Sequence, residues 1–270
     1  MTATDTVLPG SIRELQLIEV EMLREIDTLC RANNITYYLG EGSLLGAMRH
    51  QGFIPWDDDM DLLLLRPEYD RLFALLQAGG LGDRYVIEHH KTLRPYWSAF
   101  LRVRLKWDRE EFRDPSIAHL TRENGPFIDL MPVDNRPGDE AAAERQSKKI
   151  RILRKLLTLK LGVRKADTWQ RRLIRLAAPF VPERQIHRSL EKAYRRYAQE
   201  ETPLVACLAS YHSHKMQTVP RSFYGSPRYV PFEGLSMPVP AHAEEILDRV
   251  YGNWHQPPPL EEQVPPHLRG

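Results

Sequence analysis

The 270-residue chain is 42% apolar, enough to bury a sizeable core, which excludes a peptide hormone, a fibre or a disordered tail. Its 38 Lys and Arg against 36 Asp and Glu leave a formal charge of +2, so the average charge points to no acidic partner, and no nucleic acid is expected. Cys30 and Cys207 are too few for a disulfide framework, which makes a reducing compartment the default. Met1 to Gly10 has neither a basic nor an apolar leader region, and the longest apolar run, Leu62 to Leu65, is far short of the roughly 20 residues that span a bilayer. A cytoplasmic protein that at most touches the inner membrane face is expected.

Apolar residues at Ile12, Leu15, Met22, Ile26 and Leu29 predict an amphipathic helix from Ser11 to Asn33, with Ser11 and Glu14 as a capping box and Cys30 as a small core residue. Ile35 to Leu39 reads as a strand running into Gly40-Glu41-Gly42, and Ser43 to His50 as a short helix. Pro55-Trp56 ends that unit, Met60 to Leu65 is apolar enough for a buried strand, and Glu68 to Gln77 is helical. Tyr85 to His89 and Trp97 to Leu105 are predicted strands, the second with Arg102 and Arg104 forming a polar face against Leu101, Val103 and Leu105. Phe127 to Met131 is a further strand, broken by Pro132.

The charge is unevenly spread. Between Arg145 and Arg196 there are 17 Lys and Arg against 3 Asp and Glu, a local net of +14 in a chain whose remainder is −12. Ile150, Leu153, Leu157 and Leu161, then Leu173, Leu176 and Ala177, keep helical spacing, which predicts two or three basic amphipathic helices. Prolines dominate from Thr202 onward, with one more helix over Ala241 to Tyr251 and an extended tail from Gln256 to Gly270.

The stretch from Gly40 to Leu65 carries the chemistry. Period-two spacing puts Asp59 and Asp61 on one side of a strand, with Met60 and Leu62 in the core. Two carboxylates so close repel unless a divalent cation sits between them, and hard oxygen ligands without clustered Cys or His suit Mg²⁺ or Mn²⁺. Asp129, an acid among apolar neighbours in Phe127-Ile128-Asp129-Leu130, supplies a third carboxylate. Gly42, lacking a Cβ, lets backbone N–H groups approach phosphate oxygens, and Ser43 adds a hydroxyl. The bland alternative is an acidic solvated turn before a strand; the combination of three elements favours a metal-dependent phosphate-transferring site. His212 and His214 alternate as a weak zinc motif, His89-His90 reads as surface, and Trp97, Trp107, Trp169 and Trp254 read as core.

Gly42-Ser43-Leu44-Leu45-Gly46-Ala47-Met48-Arg49-His50 and Gly52-Phe53-Ile54-Pro55-Trp56-Asp57-Asp58-Asp59-Met60-Asp61 closely resemble the signature of the LicD family of phosphotransferases, which includes the fukutin-related proteins. Phe127 to Asp134 resembles its second acidic block, and Tyr229 to Pro240 with Tyr251-Gly252-Asn253-Trp254 its C-terminal signature. The resemblance implies a mixed α/β, nucleotidyltransferase-like sheet flanked by helices. One LicD-like catalytic domain spans 1–270, with a core over 11–140, a basic helical insertion over 141–200, and a segment over 201–270 returning to the core. It implies a CDP-linked donor, such as CDP-choline or a CDP-polyol, whose phospho-substituent passes to a hydroxyl of a glycan, lipid-linked glycan or teichoic-acid-like acceptor, leaving CMP. Asp59, Asp61 and Asp129 would hold Mg²⁺ or Mn²⁺, Gly42 and Ser43 would face the donor phosphates, and Arg49 and Arg102 would add fixed positive charge. Glu41 departs from the family's usual small residue. Nucleotidyl transfer by the same site, and a non-catalytic polyanion- or membrane-binding protein, are the alternatives. The basic window reads as solvated faces, as a clamp for a polyanionic acceptor, or as a dock for an anionic membrane; the last is favoured, with the Ile150 stripe either inserting or packing on the core.

Overall fold

The computed structural model describes residues 11–108, 112, 117–121, 123–165 and 167–265. The leader region and the last residues of the expected tail lie outside them. α1 (Ile12–Ala32) starts as its capping residue dictates, with Ser11 Oγ accepting from Glu14 N at 3.1 Å, and it buries Leu15, Met22, Leu23, Ile26 and Cys30 against the sheet. β1 (Tyr38–Leu39) follows, then α2 (Glu41–His50), β2 (Met60–Leu65), α3 (Arg66–Gln77), β3 (Tyr85–Glu88), β4 (Leu101–Leu105) and β5 (Phe127–Arg136).

These strands form one sheet in the order β1-β2-β5-β4-β3, with β2 and β5 parallel and the other neighbours antiparallel. Met60, Leu62 and Leu64 of β2, Ile128 and Leu130 of β5, and Leu101 and Val103 of β4 are fully buried. The mixed α/β expectation holds: a sheet with one parallel pair, flanked by helices.

Several boundaries differ from the sequence reading for identifiable reasons. α2 begins at Glu41, two residues early, with Glu41 itself at φ 43°. The 97–105 strand starts only at Leu101. Pro132 does not break β5, because it stands where β4, last paired at Leu130, has ended and β6 (Leu204–Ala206), first paired at Asp134, has not begun, so its missing N–H interrupts neither pairing. The polar face of β4 is not solvated: Arg102 and Arg104 are both buried. His89 is buried rather than on the surface, with its ring 4.1 Å from that of His90, which stacks at 4.8 Å on His187.

The basic stretch forms α4 (Glu140–Lys160), α5 (Trp169–Ala177) and α6 (Glu183–Tyr194). β6 (Leu204–Ala206) then pairs with the C-terminal half of β5. α4 and α6 pack together around Ile150, Leu157, Ile186, Leu190 and Tyr194, joined by Ala206 and Leu208. The apolar stripe of α4 is therefore spent on packing and is not free to insert into a membrane. The proline-rich end holds α7 (His214–Gln217), β7 (Val219–Pro220), β8 (Arg228–Phe232), β9 (Leu235–Val239) and α8 (Ala243–Tyr251). The β8–β9 hairpin escaped the sequence reading; in it Glu233-Gly234, at φ values of 50° and 75°, closes a two-residue turn between Phe232 and Leu235.

Candidate active site

Strand register builds the floor of the site. Asp61 on β2 lies opposite Asp129 on β5, Asp129 opposite Arg102 on β4, and Arg102 opposite Glu88 on β3. Directly opposed residues share a face, so four ionisable side chains form one row across the sheet. Arg102 Nε and Nη2 donate to the two oxygens of Asp129 at 2.6 and 2.7 Å, while Arg104 makes the equivalent fork to Glu88 at 2.8 and 3.2 Å. The Arg102 guanidinium also lies 3.5 Å above the Phe127 ring, and its Nη1 has no hydrogen-bond partner among the described residues. Among the described residues Asp61 has no such cation. Burial, then the charges of Asp59 and Asp129, raise its carboxyl well above the usual carboxylate range.

The wall beside this row comes from α2 and the acidic loop. Gln16 Nε2 donates to the carbonyls of Ile54 and Asp57 at 3.2 and 3.0 Å, fixing the loop before β2. Carboxylate oxygens of Asp57, Asp58 and Asp59 all lie within 4.8 Å of one another. A Cβ at Gly42 would come within 2.6 Å of Asp57 Oδ2, and one at Gly46 would overlap the Gly52 carbonyl. The bare glycines thus let helix and loop close on each other. Ser43 is buried and its Oγ accepts from Asp61 N at 2.9 Å, which makes it a positioner of Asp61.

Glu41, Gly42, Asp57, Asp59, Asp61 and Asp129 line one side of a cavity of about 390 Å³, closed opposite by Phe100, Tyr211, His212 and Tyr251. Of the residues expected from sequence, Arg102 also lines it, while the buried Ser43 and Arg49 do not. Arg49 Nη1 instead donates to the Trp254 carbonyl at 2.9 Å, tying α2 to the C-terminal segment. His212 and His214 are not on a strand: His212 Nε2 is 3.5 Å from Glu41, and His214 opens α7.

Two carboxylates escaped the sequence reading. Glu41 accepts from Gln217 Nε2 at 2.9 Å, and burial raises its carboxyl, with His212 acting against that rise. Glu19 on α1 is 0% exposed, neither oxygen has a partner among the described residues, and burial together with Asp59, Asp57 and Asp58 pushes its carboxyl far up. Its signal in the sequence was an acid on the buried face of an amphipathic helix. Unpartnered buried acid beside clustered acid, all hard oxygen and with no thiolate among it, fits Mg²⁺ or Mn²⁺. Asp129 keeps lone pairs for a cation even with both oxygens held by Arg102.

Residues 34–158 match the family model described as LicD/FKTN/FKRP, nucleotidyltransferase domain. The lipopolysaccharide cholinephosphotransferase LicD of Haemophilus influenzae is 26% identical over 263 residues, 96% of this chain and 97% of that protein. The chain thus carries a LicD-family nucleotidyltransferase domain over 34–158 and is similar to a LicD phosphotransferase along nearly its whole length. The matched LicD region runs from just before β1 to near the end of α4, so it holds the whole acidic row from Asp57 to Asp129. Uncharacterised proteins of Rickettsia typhi and Rickettsia prowazekii are each 39% identical, over 72 and 73 residues, a quarter of this chain. Among the described residues no helix is long and apolar enough to cross a membrane.

Proposed function

We propose that this protein transfers a phospho-substituent, phosphocholine foremost, from a CDP-activated donor to a hydroxyl of a lipopolysaccharide-type glycan, with Mg²⁺ or Mn²⁺ held by Asp59, Asp61 and Asp129. The observation that carries this reading is the side-by-side register of Asp61 and Asp129 on parallel strands at the floor of the 390 Å³ cavity. A divalent cation held by these carboxylates would supply positive charge against the charge that develops as CMP departs. The chain's own residues set the geometry. Ser43 fixes the backbone of Asp61, Arg102 fixes both oxygens of Asp129, and Gln16 fixes the loop carrying Asp59. The first turn of α2, at Glu41 and Gly42, lies against the cavity and offers N–H groups to phosphate. An acid of the Asp57–Asp59 loop takes the proton of the acceptor hydroxyl, since positioning supplies most of the acceleration in such transfers.

The acceptor is reached at an anionic membrane surface. α5 supports this: Trp169, Leu176 and, in the turn after it, Phe180 are 68%, 71% and 86% exposed and fall on one helical face, flanked by Arg171, Arg172 and Arg175. A thermal-shift comparison of CDP-choline, CDP-ribitol and CDP-glycerol with Mg²⁺ tests the donor. The true donor at about a hundred times its dissociation constant adds about 2.7 kcal/mol of stability. No shift with any of the three would overturn the CDP reading.

A further inference from the structure

Beside the acidic cavity lies a second one of about 340 Å³ whose chemistry is the opposite. Arg151, Arg154 and Lys155 of α4, Arg164 of the following loop and Arg171 of α5 line it, and no carboxylate among the described residues does. The two cavities adjoin, because Phe100 and Tyr211 line both. Arg154 fixes that boundary: its Nη1 donates to the Ser210 carbonyl at 2.8 Å, and its guanidinium lies 5.3 Å from the Tyr211 ring centre. Arg151 and Arg171 are ion-paired outward with the exposed Glu144 and Asp167. Lys155 and Arg164 have no carboxylate partner among the described residues, although Lys155 is half-buried. Five cations gathered in a concave site, three of them (Arg154, Lys155 and Arg164) without a carboxylate partner among the described residues, leave a positive field that an anion would satisfy.

We infer that this pocket binds a phosphate group of the glycan acceptor and thereby presents a neighbouring hydroxyl to the acidic cavity. This rests on the transferase reading for the identity of the acceptor. The donor is a poorer occupant. Its diphosphate is drawn to the cation end at Asp61 and Asp129, and a cationic head group such as choline is repelled by the pocket. Arg is suited to the role because its planar fork matches phosphate and carboxylate oxygens two at a time. The acceptor hydroxyl would then approach the donor phosphorus from the side opposite the departing CMP, past Phe100 and Tyr211.

The test uses the full chain and a Lys155→Gln/Arg164→Gln variant, neither residue belonging to the proposed metal or donor site. Inorganic phosphate is titrated at low salt, and deacylated lipopolysaccharide is compared before and after phosphatase treatment. Phosphate should bind the wild type and weaken about tenfold in the variant, as expected for losing two charge-assisted contacts. The phosphorylated oligosaccharide should displace it and the dephosphorylated one should not. CDP-choline with Mg²⁺ should bind both proteins equally and should not compete with phosphate. Phosphate that fails to bind, binds the variant unchanged, or competes with CDP-choline overturns the inference, as does equal binding of the two oligosaccharides. Failure of CDP-choline to bind either protein would instead strike the transferase reading, leaving the phosphate titration readable.

Discussion

The acidic cavity and the histidine pocket between α3 and α6 are both buried clusters of titratable groups, yet they settle their charge differently. His90 stacks on His187 and His89 tilts against His90; burial lowers all three, aided by His90 and Lys91 at His89 and by His187 at His90, which brings His89 to about 2 and His90 to about 4. They stay neutral and their ring nitrogens are used: His187 Nε2 contacts the Tyr96 carbonyl at 2.8 Å and His89 Nδ1 accepts from Lys91 N at 3.3 Å. Among the described residues the carboxylates of the acidic cavity have one buried cation, Arg102, which is committed to Asp129, while Asp61 and Glu41, and Glu19 on α1, are raised with no arginine or lysine of their own. A cluster that neutralises itself and fills its hydrogen bonds is structural. A cluster that gathers like charge without compensation costs stability, and the compensating ligand is what a functional site supplies.

The largest effect that sharpens this contrast is on turnover. Asp61→Asn should reduce CMP release by about a thousandfold, the scale of removing a group that organises developing charge, while the melting temperature stays the same or rises because a repelling carboxylate is gone. A folded Asp61→Asn enzyme with near wild-type turnover, or wild-type turnover in excess EDTA, breaks the contrast. Next, Arg102→Met strands the buried Asp129 carboxylate and should cost about 3–5 kcal/mol in denaturant unfolding, most of it recovered in Arg102→Met/Asp129→Leu without recovery of activity. A single variant as stable as wild type would mean that Arg102 is not the counterion on which Asp129 depends.

The histidine pocket gives a smaller, pH-dependent effect. Imidazoles whose folded values are depressed below the unfolded value near 6.5 contribute stability that is intact above pH 6.5 and lost as pH falls toward their folded values. At pH 5 the loss is about 2 kcal/mol for each of His89 and His90. The raised carboxyls of the acidic cavity work in the opposite sense and are common to both proteins compared. A His89→Phe/His90→Phe variant should therefore lose less stability than wild type between pH 7 and pH 5. Parallel melting curves across that range would mean that these imidazoles ionise freely in the folded state. Smallest is the surface of α5: Trp169→Ser/Phe180→Ser should change stability by less than about 0.5 kcal/mol while reducing sedimentation with anionic vesicles at low salt. Unchanged sedimentation would remove α5 as the membrane contact.

What the sequence disclosed and what it hid divide along physical lines. α1 was legible to within a residue, because a 3.6 period and a Ser cap are local signals. Asp59 and Asp61 were read as a pair from period-two spacing, although β2 begins only at Met60 and Asp59 lies in the loop before it; Asp129 was read as an isolated acid among apolar neighbours, and the strand register brings it opposite Asp61. The pairing of Arg102 with Asp129 was not, since it depends on the register of β4 against β5 across 27 residues of sequence separation. Arg49 looked like a phosphate ligand because an arginine in a glycine-rich motif is ambiguous until the C-terminal chain that it grips is placed. The apolar stripe of α4 showed amphipathicity but not its partner, which turned out to be α6.

The most direct test of the central claim is product identity. Purified protein is incubated with Mg²⁺, a lipopolysaccharide acceptor and either CDP-choline or CTP, and the released nucleotide and phosphate are separated by chromatography. The account predicts CMP from CDP-choline with phosphocholine on the acceptor, and no turnover of CTP. Pyrophosphate released from CTP, with cytidylate appearing on the acceptor, would contradict it and assign the acidic row to nucleotidyl transfer.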